Sequence, residues 1–283
     1  MFRKILIVSI LTINLFFNAS AQFINQDASS AGFQQFLKNK TVFVLQADAS
    51  FNIALQAAVK KTWTLGAYDF VKEADFGAKQ MDKNTSFVLP QNLQVQGGNG
   101  STATHYYWAA VNGGKKKYAY EDVVAFVPFD FFGNEKTYAA SAYRLENMVA
   151  ALQEGIKIGR DKKLQKSKNG LVDAMISIYH RAAVGLKAKT LLVNTEYLDA
   201  AALAIFKKNY PYPFKMATTQ EIKAAIAKKD GKTAYLLLSR SLNKHIFAID
   251  AATGKTLYAD FTTQNAGLTT DDVKRFCKTA LGK

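Results

Sequence analysis

The sequence predicts an α/β (mixed α+β) fold made of two tandem copies of a β-α-β-α-β-β-β-α module, each a mixed sheet flanked by helices. The main observation is a repeated segment: residues 37–44 (LKNKTVFV) match residues 186–193 (LKAKTLLV) at five of eight positions, at an offset of 149. Two further pairs of segments keep nearly this spacing: residues 59–63 with 206–210, and residues 86–89 with 234–237. Self-similarity at a fixed period indicates repeated structural units.

The first copy shows the order of patterns that defines the module. Apolar, β-branched runs predict strands, and apolar residues at helical spacing predict helices. A short helix containing Phe33 and Phe36 precedes the first strand. The predicted elements are then a strand at 42–45, a helix at 52–61, a strand within 63–71, a weak helix at 74–81, meander strands at 86–89, 105–111 and 123–127, and a helix at 145–152.

The second copy repeats that order. Thr218 and Glu221 have the spacing of a capping box, which predicts a helix start. Short strands joined by helices of about ten residues imply right-handed crossovers and a parallel portion of sheet, to which the meander adds antiparallel strands. The predicted elements are an amphipathic helix at 171–186, strands at 191–193 and 214–217, helices at 197–206 and 218–226, meander strands at 234–238, 245–249 and 255–258, and a helix at 273–281.

The first residues predict export. Arg3 and Lys4 precede an apolar stretch at 5–17 that is shorter than a membrane span, and residues 19–21 (ASA) form a small-x-small cleavage site. We expect a signal peptide cleaved after Ala21 and a periplasmic or secreted mature chain without a transmembrane segment. The domains expected are the signal peptide at 1–21, the first module at 22–165 and the second module at 166–283.

Positive charge is concentrated in the second half of the chain. The whole sequence has a formal net charge of +15. Residues 22–149 contain 12 Lys and Arg against 11 Asp and Glu, whereas residues 150–283 contain 23 against 11. The candidate binding residues form the densest basic run: Lys157, Arg160, Lys162, Lys163, Lys166 and Lys168.

The basic run has two interpretations. As a binding face it would hold an anionic polymer, such as lipopolysaccharide, or anionic lipid headgroups. As a solvated helix end, its lysines would complement the C-terminal helix dipole. No aromatic residue is interleaved for base stacking, so nucleic acid is not an expected partner.

The sequence predicts no catalytic, cofactor-binding or metal-ligating residues. His105, His180 and His245 have no second ligand at metal-binding spacing, and no glycine-rich segment fits a phosphate-binding loop. His105 and His245 are predicted to begin equivalent strands, which favours a structural role over a general base. Cys277, the only cysteine, lies on the apolar face of the last helix and is expected to be buried.

The element order and the short Leu-Lys-x-Lys-Thr and Lys-Lys-x-aromatic segments resemble uncharacterised secreted proteins of the Bacteroidota. More distantly, the order is similar to the amino-terminal α/β domains of TolB and CsgG-like envelope proteins. The resemblance covers about residues 36–281 and implies an envelope location. It provides no active-site residues for this chain.

These observations favour a non-catalytic envelope module that binds a protein or glycan partner through sheet edges, meander loops or the cleft between the modules. An enzyme is the less favoured class. Its form would be a hydrolase-like site in the first module near His105 and the predicted loop at 91–104. The third alternative is binding of an anionic polymer by the basic second half.

The basic run can be tested by its salt dependence. If it is a binding face, retention on heparin or lipopolysaccharide should fall steeply with salt, because neutralised phosphates or sulfates release counterions. Replacing Lys162, Lys163, Lys166 and Lys168 by Gln should abolish retention and leave the thermal midpoint almost unchanged, since exposed charges contribute under about 1 kcal/mol each. Equal retention of variant and parent would make the run a solubilising surface.

Overall fold

The computed structural model describes residues 30–96, 102–119, 122–129, 138–161, 166, 170–240, 243–263 and 267–282. This part of the chain forms two five-stranded mixed sheets flanked by eight α-helices. The expected signal peptide and three residues of the basic run, Lys162, Lys163 and Lys168, lie outside the described residues. None of the helices in the described ranges has both the length and the apolar character needed to cross a membrane.

The helices and strands follow the predicted order in both modules. In the first module they are α1 (Ser30–Lys38), β1 (Lys40–Leu45), α2 (Ala49–Thr62), β2 (Tyr68–Lys72), α3 (Glu73–Lys79), β3 (Thr85–Gln96), β4 (Thr102–Asn112), β5 (Val123–Pro128), a 3₁₀ segment (Tyr138–Arg144) and α4 (Leu145–Gly159). In the second they are α5 (Gly170–Ala182), a 3₁₀ segment (Ala183–Ala188), β6 (Thr190–Asn194), α6 (Ala200–Asn209), β7 (Phe214–Ala217), α7 (Thr219–Ala227), β8 (Thr233–Arg240), β9 (Asn243–Asp250), β10 (Thr256–Thr263) and α8 (Thr270–Ala280).

The two sheets have the same topology, which confirms the two-module fold. The strand order is β2-β1-β3-β4-β5 in the first sheet and β7-β6-β8-β9-β10 in the second. In each sheet, the first strand is parallel to both neighbours and the following meander is antiparallel. The helical crossovers therefore connect the parallel strands, and hairpins connect the rest.

The turn before the third strand is the same in both modules. The Thr85 hydroxyl donates to Asp82 Oδ2 at 2.6 Å, and the Thr233 hydroxyl donates to Asp230 Oδ2 at 2.6 Å. These residues are 148 positions apart, the offset that relates residues 86–89 to 234–237. That predicted pair of segments is therefore in register.

The pairing of the first strands corrects the offset of 149. Thr41 lies opposite Ser86 in the first sheet, and Leu191 lies opposite Ala234, the counterpart of Ser86, in the second. Thr41 and Leu191 are 150 positions apart, so the five identities between 37–44 and 186–193 are out of register by one residue. Since side chains alternate along a strand, a slip of one residue assigns each of them to the wrong face.

The histidine correspondence is also wrong. Asn112 lies opposite Ser86 and Asp250 lies opposite Ala234, which relates β4 to β9 by 138 positions. His245 therefore corresponds to Tyr107. The predicted loop at 91–104 is mostly strand, because β3 and β4 form a hairpin that continues to Gln96 and resumes at Thr102.

The helix after the first strand is capped in the same way in both modules. Asp48 and Asp199 accept hydrogen bonds from backbone N–H groups of the first turns of α2 and α6. Trp63 and Tyr210 are the C-cap residues, each with extended backbone angles, so the segments 59–63 and 206–210 are equivalent. Helix α2 is one turn longer, with 14 residues against 10. A carboxylate at the N-cap satisfies otherwise unpaired amides.

The modules pack through unlike faces of their sheets. On the first sheet, the face toward the second module is the one that α2 covers, where Phe43 contacts Trp63 with ring centroids 5.1 Å apart. On the second sheet, the face in this shared core carries Tyr235 and Ile222 of α7, whereas Phe206 of α6 packs in a separate core on the other face. Since α3 packs on the outer face of the first sheet through Phe76, the layers are α3, sheet, helices, sheet, helices, with a heterologous contact between the two copies.

The turn after β9 touches helix α4 of the other module. Gly254 has a φ of +71°, and a Cβ atom at this position would lie 2.6 Å from the Cα atom of Asn147. The Asn147 side chain also donates a buried hydrogen bond of 3.1 Å to the Tyr235 hydroxyl. Both the positive φ and the close approach require glycine here.

Replacing Gly254 by Ala should destabilise the protein by more than about 1 kcal/mol, because the new methyl group meets both a disfavoured backbone conformation and the α4 backbone. Chemical denaturation measures the change. Gly231→Ala is the matched control, since a Cβ atom at Gly231 would have no neighbour within 4 Å and the φ of this residue is not in the left-handed region. Equal stability of the two variants would contradict the close packing of Gly254 on α4.

Candidate functional site

A cleft of about 280 Å³ opens where the two modules meet. Helix α2 and the start of α4 form the side belonging to the first module, and the end of α7 with the turn after β9 forms the side belonging to the second. We call this the inter-module cleft. Its lining residues are Ala54, Ala57, Ala58, Lys61, Ala142, Tyr143, Leu145, Glu146, Asn147, Ile226, Ala227, Lys229, Ala251 and Ala252.

Glu146 pairs with one lysine from each side of the cleft, and the Lys229 pair joins the two sides. Its Oε1 atom lies 2.9 Å from the Lys61 Nζ atom, and its Oε2 atom lies 2.8 Å from the Lys229 Nζ atom. Partial burial raises the pKa of Glu146, but the hydrogen bonds from Lys229 and Lys61 outweigh this and lower the pKa overall. The hydrogen bond to Glu146 raises the pKa of Lys61. At neutral pH the three groups are a carboxylate and two ammonium ions.

Lys229 has a left-handed backbone conformation. Its φ of +51° is the only positive value of a non-glycine residue in the described part of the chain. The residue follows the C-cap of α7, where its N–H donates to the Ile226 carbonyl and the next N–H donates to Ala225. Helices that end in this way usually have glycine at this position, because a Cβ atom costs about 1–2 kcal/mol. Lys229 thus has a backbone conformation that is unfavourable for lysine, and it lies at the rim of the cleft.

Alanine is the commonest residue type in the lining. Seven of the 14 lining residues are alanines, and they come mostly from α2, α7 and the turn after β9. The Asn147 side-chain amide already donates a hydrogen bond to the Tyr235 hydroxyl. Lys223 lies over the Tyr143 ring, 5.3 Å from its centroid, and brings a third ammonium group to the edge of the cleft. The lining thus holds two lysines against one carboxylate, with Lys223 at its edge, which gives the cleft a net positive charge.

A second cluster of charges is buried under the second sheet. The side chains of Lys244 and Asp272 are 1% and 3% exposed and form an ion pair. Arg275 binds Asp272 at 2.7 Å and Asp260 at 3.0 Å, and the Tyr258 hydroxyl donates to the same Asp260 atom at 3.0 Å. Two cations and two carboxylates balance here, so every charge that links α8 to β9 and β10 in this cluster has a partner and none is left for a ligand.

The described residues of the predicted basic run lie away from this cleft. Lys157 is in the last turn of α4, Arg160 is its C-cap, and Lys166 lies in a turn; all three are exposed. Their position at the end of a helix fits the dipole interpretation, and their exposure fits a binding face. The structure does not bring them together with the lysines of the inter-module cleft.

The remaining candidates are the cysteine and the histidines. Cys277 is buried as expected, and burial raises its pKa to about 12. His180 stacks on Tyr258 with centroids 5.5 Å apart, and burial lowers its pKa. His105 lies in β4 opposite Leu93, and its side chain is outside the described part. The described ranges hold no group of three or more His, Cys, Asp or Glu side chains able to bind a metal ion.

Sequence reasoning missed the cleft residues. Lys61 belongs to a repeated Lys-Lys segment, which drew attention to the duplication rather than to a site. Glu146 and Lys229 are 83 positions apart and meet only because α4 packs against the second module.

No protein family, curated protein or solved structure matched this chain.

Replacing Glu146 by Gln should lower the stability at neutral pH by about 1 kcal/mol, because both partly exposed ion pairs are lost. The folded state lowers the pKa of Glu146, so its stabilising contribution is present above the ordinary Glu pKa of about 4.3 and is lost as the pH falls through the lower folded value. The difference between parent and variant should therefore disappear in acid.

Urea denaturation at several pH values measures this difference. Glu196→Gln is the control, because Glu196 is exposed and forms no ion pair with the described residues. A difference between parent and Glu146→Gln that persists below the Glu range would show that the charge of Glu146 is not what stabilises the contact.

Proposed function

We propose that the mature chain is an exported, non-catalytic module of the cell envelope that binds a protein or glycan partner in the inter-module cleft. The observation that carries this proposal is Lys229, a lysine kept in a left-handed conformation at the rim of a positively charged cleft. Strained residues cluster at functional sites, since a relaxed residue such as glycine would otherwise be favoured there. The short apolar leader supports export.

The chemistry of the lining supports binding rather than catalysis. Among the described residues, the lining contains no His, Cys, Ser, Thr or Asp side chain. Glu146 is ionised and held by two lysines, which makes it a poor general acid, and the raised pKa of Lys61 keeps its amine protonated and not nucleophilic. What the cleft offers a partner is ammonium groups beside an apolar surface.

The exposed residues of the basic run support a second candidate, binding of an anionic polymer. Lys157, Arg160 and Lys166 are all accessible and no carboxylate of the described residues pairs with them within ion-pair distance. The salt dependence of retention on heparin or lipopolysaccharide distinguishes this surface from the cleft.

Cross-linking in the exporting cells tests the proposed function. A photoreactive amino acid at Ala57, which is exposed and lines the cleft, should give a defined adduct whose mass identifies a protein or a glycan. The same group at Met81, which is exposed on the turn after α3, should not give this adduct. The proposal fails if position 57 gives no adduct or if both positions give the same set.

A further inference from the structure

Resting on the proposed function, we infer that the partner is a protein, that it inserts a segment with a carboxylate beside a small apolar side chain, and that Glu146 occupies the place of that carboxylate in the unbound protein. The inference names the class of partner for the inter-module cleft. It also assigns Lys61 and Lys229 as the residues that recognise the acid group.

The geometry around Glu146 is that of a carboxylate receptor. One ammonium group comes from each module, and each binds a different carboxyl oxygen, at 2.9 Å and 2.8 Å. Both lysine side chains are about half exposed, at 55% and 46%, so a carboxylate from solution can reach them. Lys223 adds a third positive charge at the edge. A partner carboxylate can therefore replace Glu146 at one or both amines without leaving a buried charge unpaired.

The surface beside these amines favours a peptide over a sugar. Sugar rings present hydroxyl groups on most of their edge, and each hydroxyl placed against methyl groups without a hydrogen-bond partner is costly. Half of the lining residues of the cleft are alanines, and its one side-chain amide, Asn147, already donates to Tyr235. On α2, Ile53 is 71% exposed and lies on the same helix face as Ala57 and Lys61, at spacings of four residues. A partner segment with apolar side chains next to an acidic residue would match this row of apolar residues ending in a lysine.

Lys229 provides an independent argument, because the same position in the first module is unstrained. The equivalence of Asp82 and Asp230 makes Met81 the counterpart of Lys229. Met81 does not have a positive φ, so the fold of the module does not require the left-handed conformation with a large side chain. A lysine is expected at a position that favours glycine where the function of its ammonium group outweighs the cost of its backbone conformation.

The charge of the second half suits an acidic partner. Residues 150–283 carry 23 basic against 11 acidic residues, and Lys229 belongs to this half. A positive field of this kind speeds the encounter with an acidic segment and fixes its orientation, and its effect decreases with salt.

The test measures binding of labelled probes to the mature protein by fluorescence anisotropy at low salt. The probes are a peptide of alternating Glu and Ala, the same peptide with Gln for Glu, and an oligogalacturonate as the glycan carboxylate. The Glu peptide should bind, and the Gln peptide and the oligogalacturonate should bind more weakly. Lys61→Gln and Lys229→Gln should each weaken binding of the Glu peptide about five-fold, whereas the neighbouring controls Lys60→Gln and Lys228→Gln should not.

Two further variants separate recognition from structure. Glu146→Gln should bind the Glu peptide more tightly, because the internal competitor is gone. Lys229→Gly should raise the thermal midpoint, since strain is relieved, and still weaken binding about five-fold. A lysine that serves only to hold the modules together would instead lower the midpoint and leave binding unchanged.

The failures of this inference and of the proposed function are distinct. Preferential binding of the oligogalacturonate, or a glycan adduct at position 57, overturns the inference and leaves the proposed binding module standing. Absence of binding by both carboxylate probes, or equal binding by parent and Lys229→Gly, also overturns the inference. Absence of any adduct at position 57 overturns the proposed function itself.

Discussion

The packing of helix α4 between two sheets is the contact on which the arrangement of the modules depends. Ten of its 15 residues are buried, including Leu152 and Ile156, so it is apolar on more than one side. Its counterpart α8 buries five of 11 residues and exposes Asp271, Lys274 and Lys278. The first module thus offers a helix that a second sheet can cover, and the second module ends the stack with a charged surface, as terminal repeats do.

This unlike packing gives equivalent residues different roles. Lys61 and Lys208 occupy the same position, one before the last residue of α2 and of α6. Lys61 meets Glu146 in the inter-module cleft, whereas Lys208 is exposed and makes no ion pair with the described residues. Both modules therefore have a lysine at this position, but only Lys61 lies in the inter-module cleft, because only the first module places this helix end at the contact between modules. A search for motifs in either module alone could not distinguish the two.

The sequence allowed prediction of the modules but not of the site, and the reasons are physical. Alternating and helical apolar patterns, and the capping box at Thr218, depend on nearby residues, and the structure confirms them. The register of β1 depends on its pairing with β3, so the identities at an offset of 149 placed Phe43 on the wrong face. The left-handed conformation of Lys229 has no local signal, because lysine does not favour it. The hydrogen bonds that end α7 define this conformation, and they are the same for glycine as for lysine.

The bridge formed by Glu146 makes cohesion of the modules and binding of an anion compete. Both lysines that would receive a partner carboxylate are paired with Glu146, and the Lys229 pair crosses the cleft. A ligand that takes one of them weakens the internal bridge, and a condition that protonates Glu146 frees both. Replacing Glu146 by a partner carboxylate at these lysines changes the free energy little, because the groups are about half exposed. A small change of this kind suits reversible binding. Since the same amines serve both carboxylates and the coupling acts in both directions, a change that tightens the bridge weakens the binding of an acidic partner.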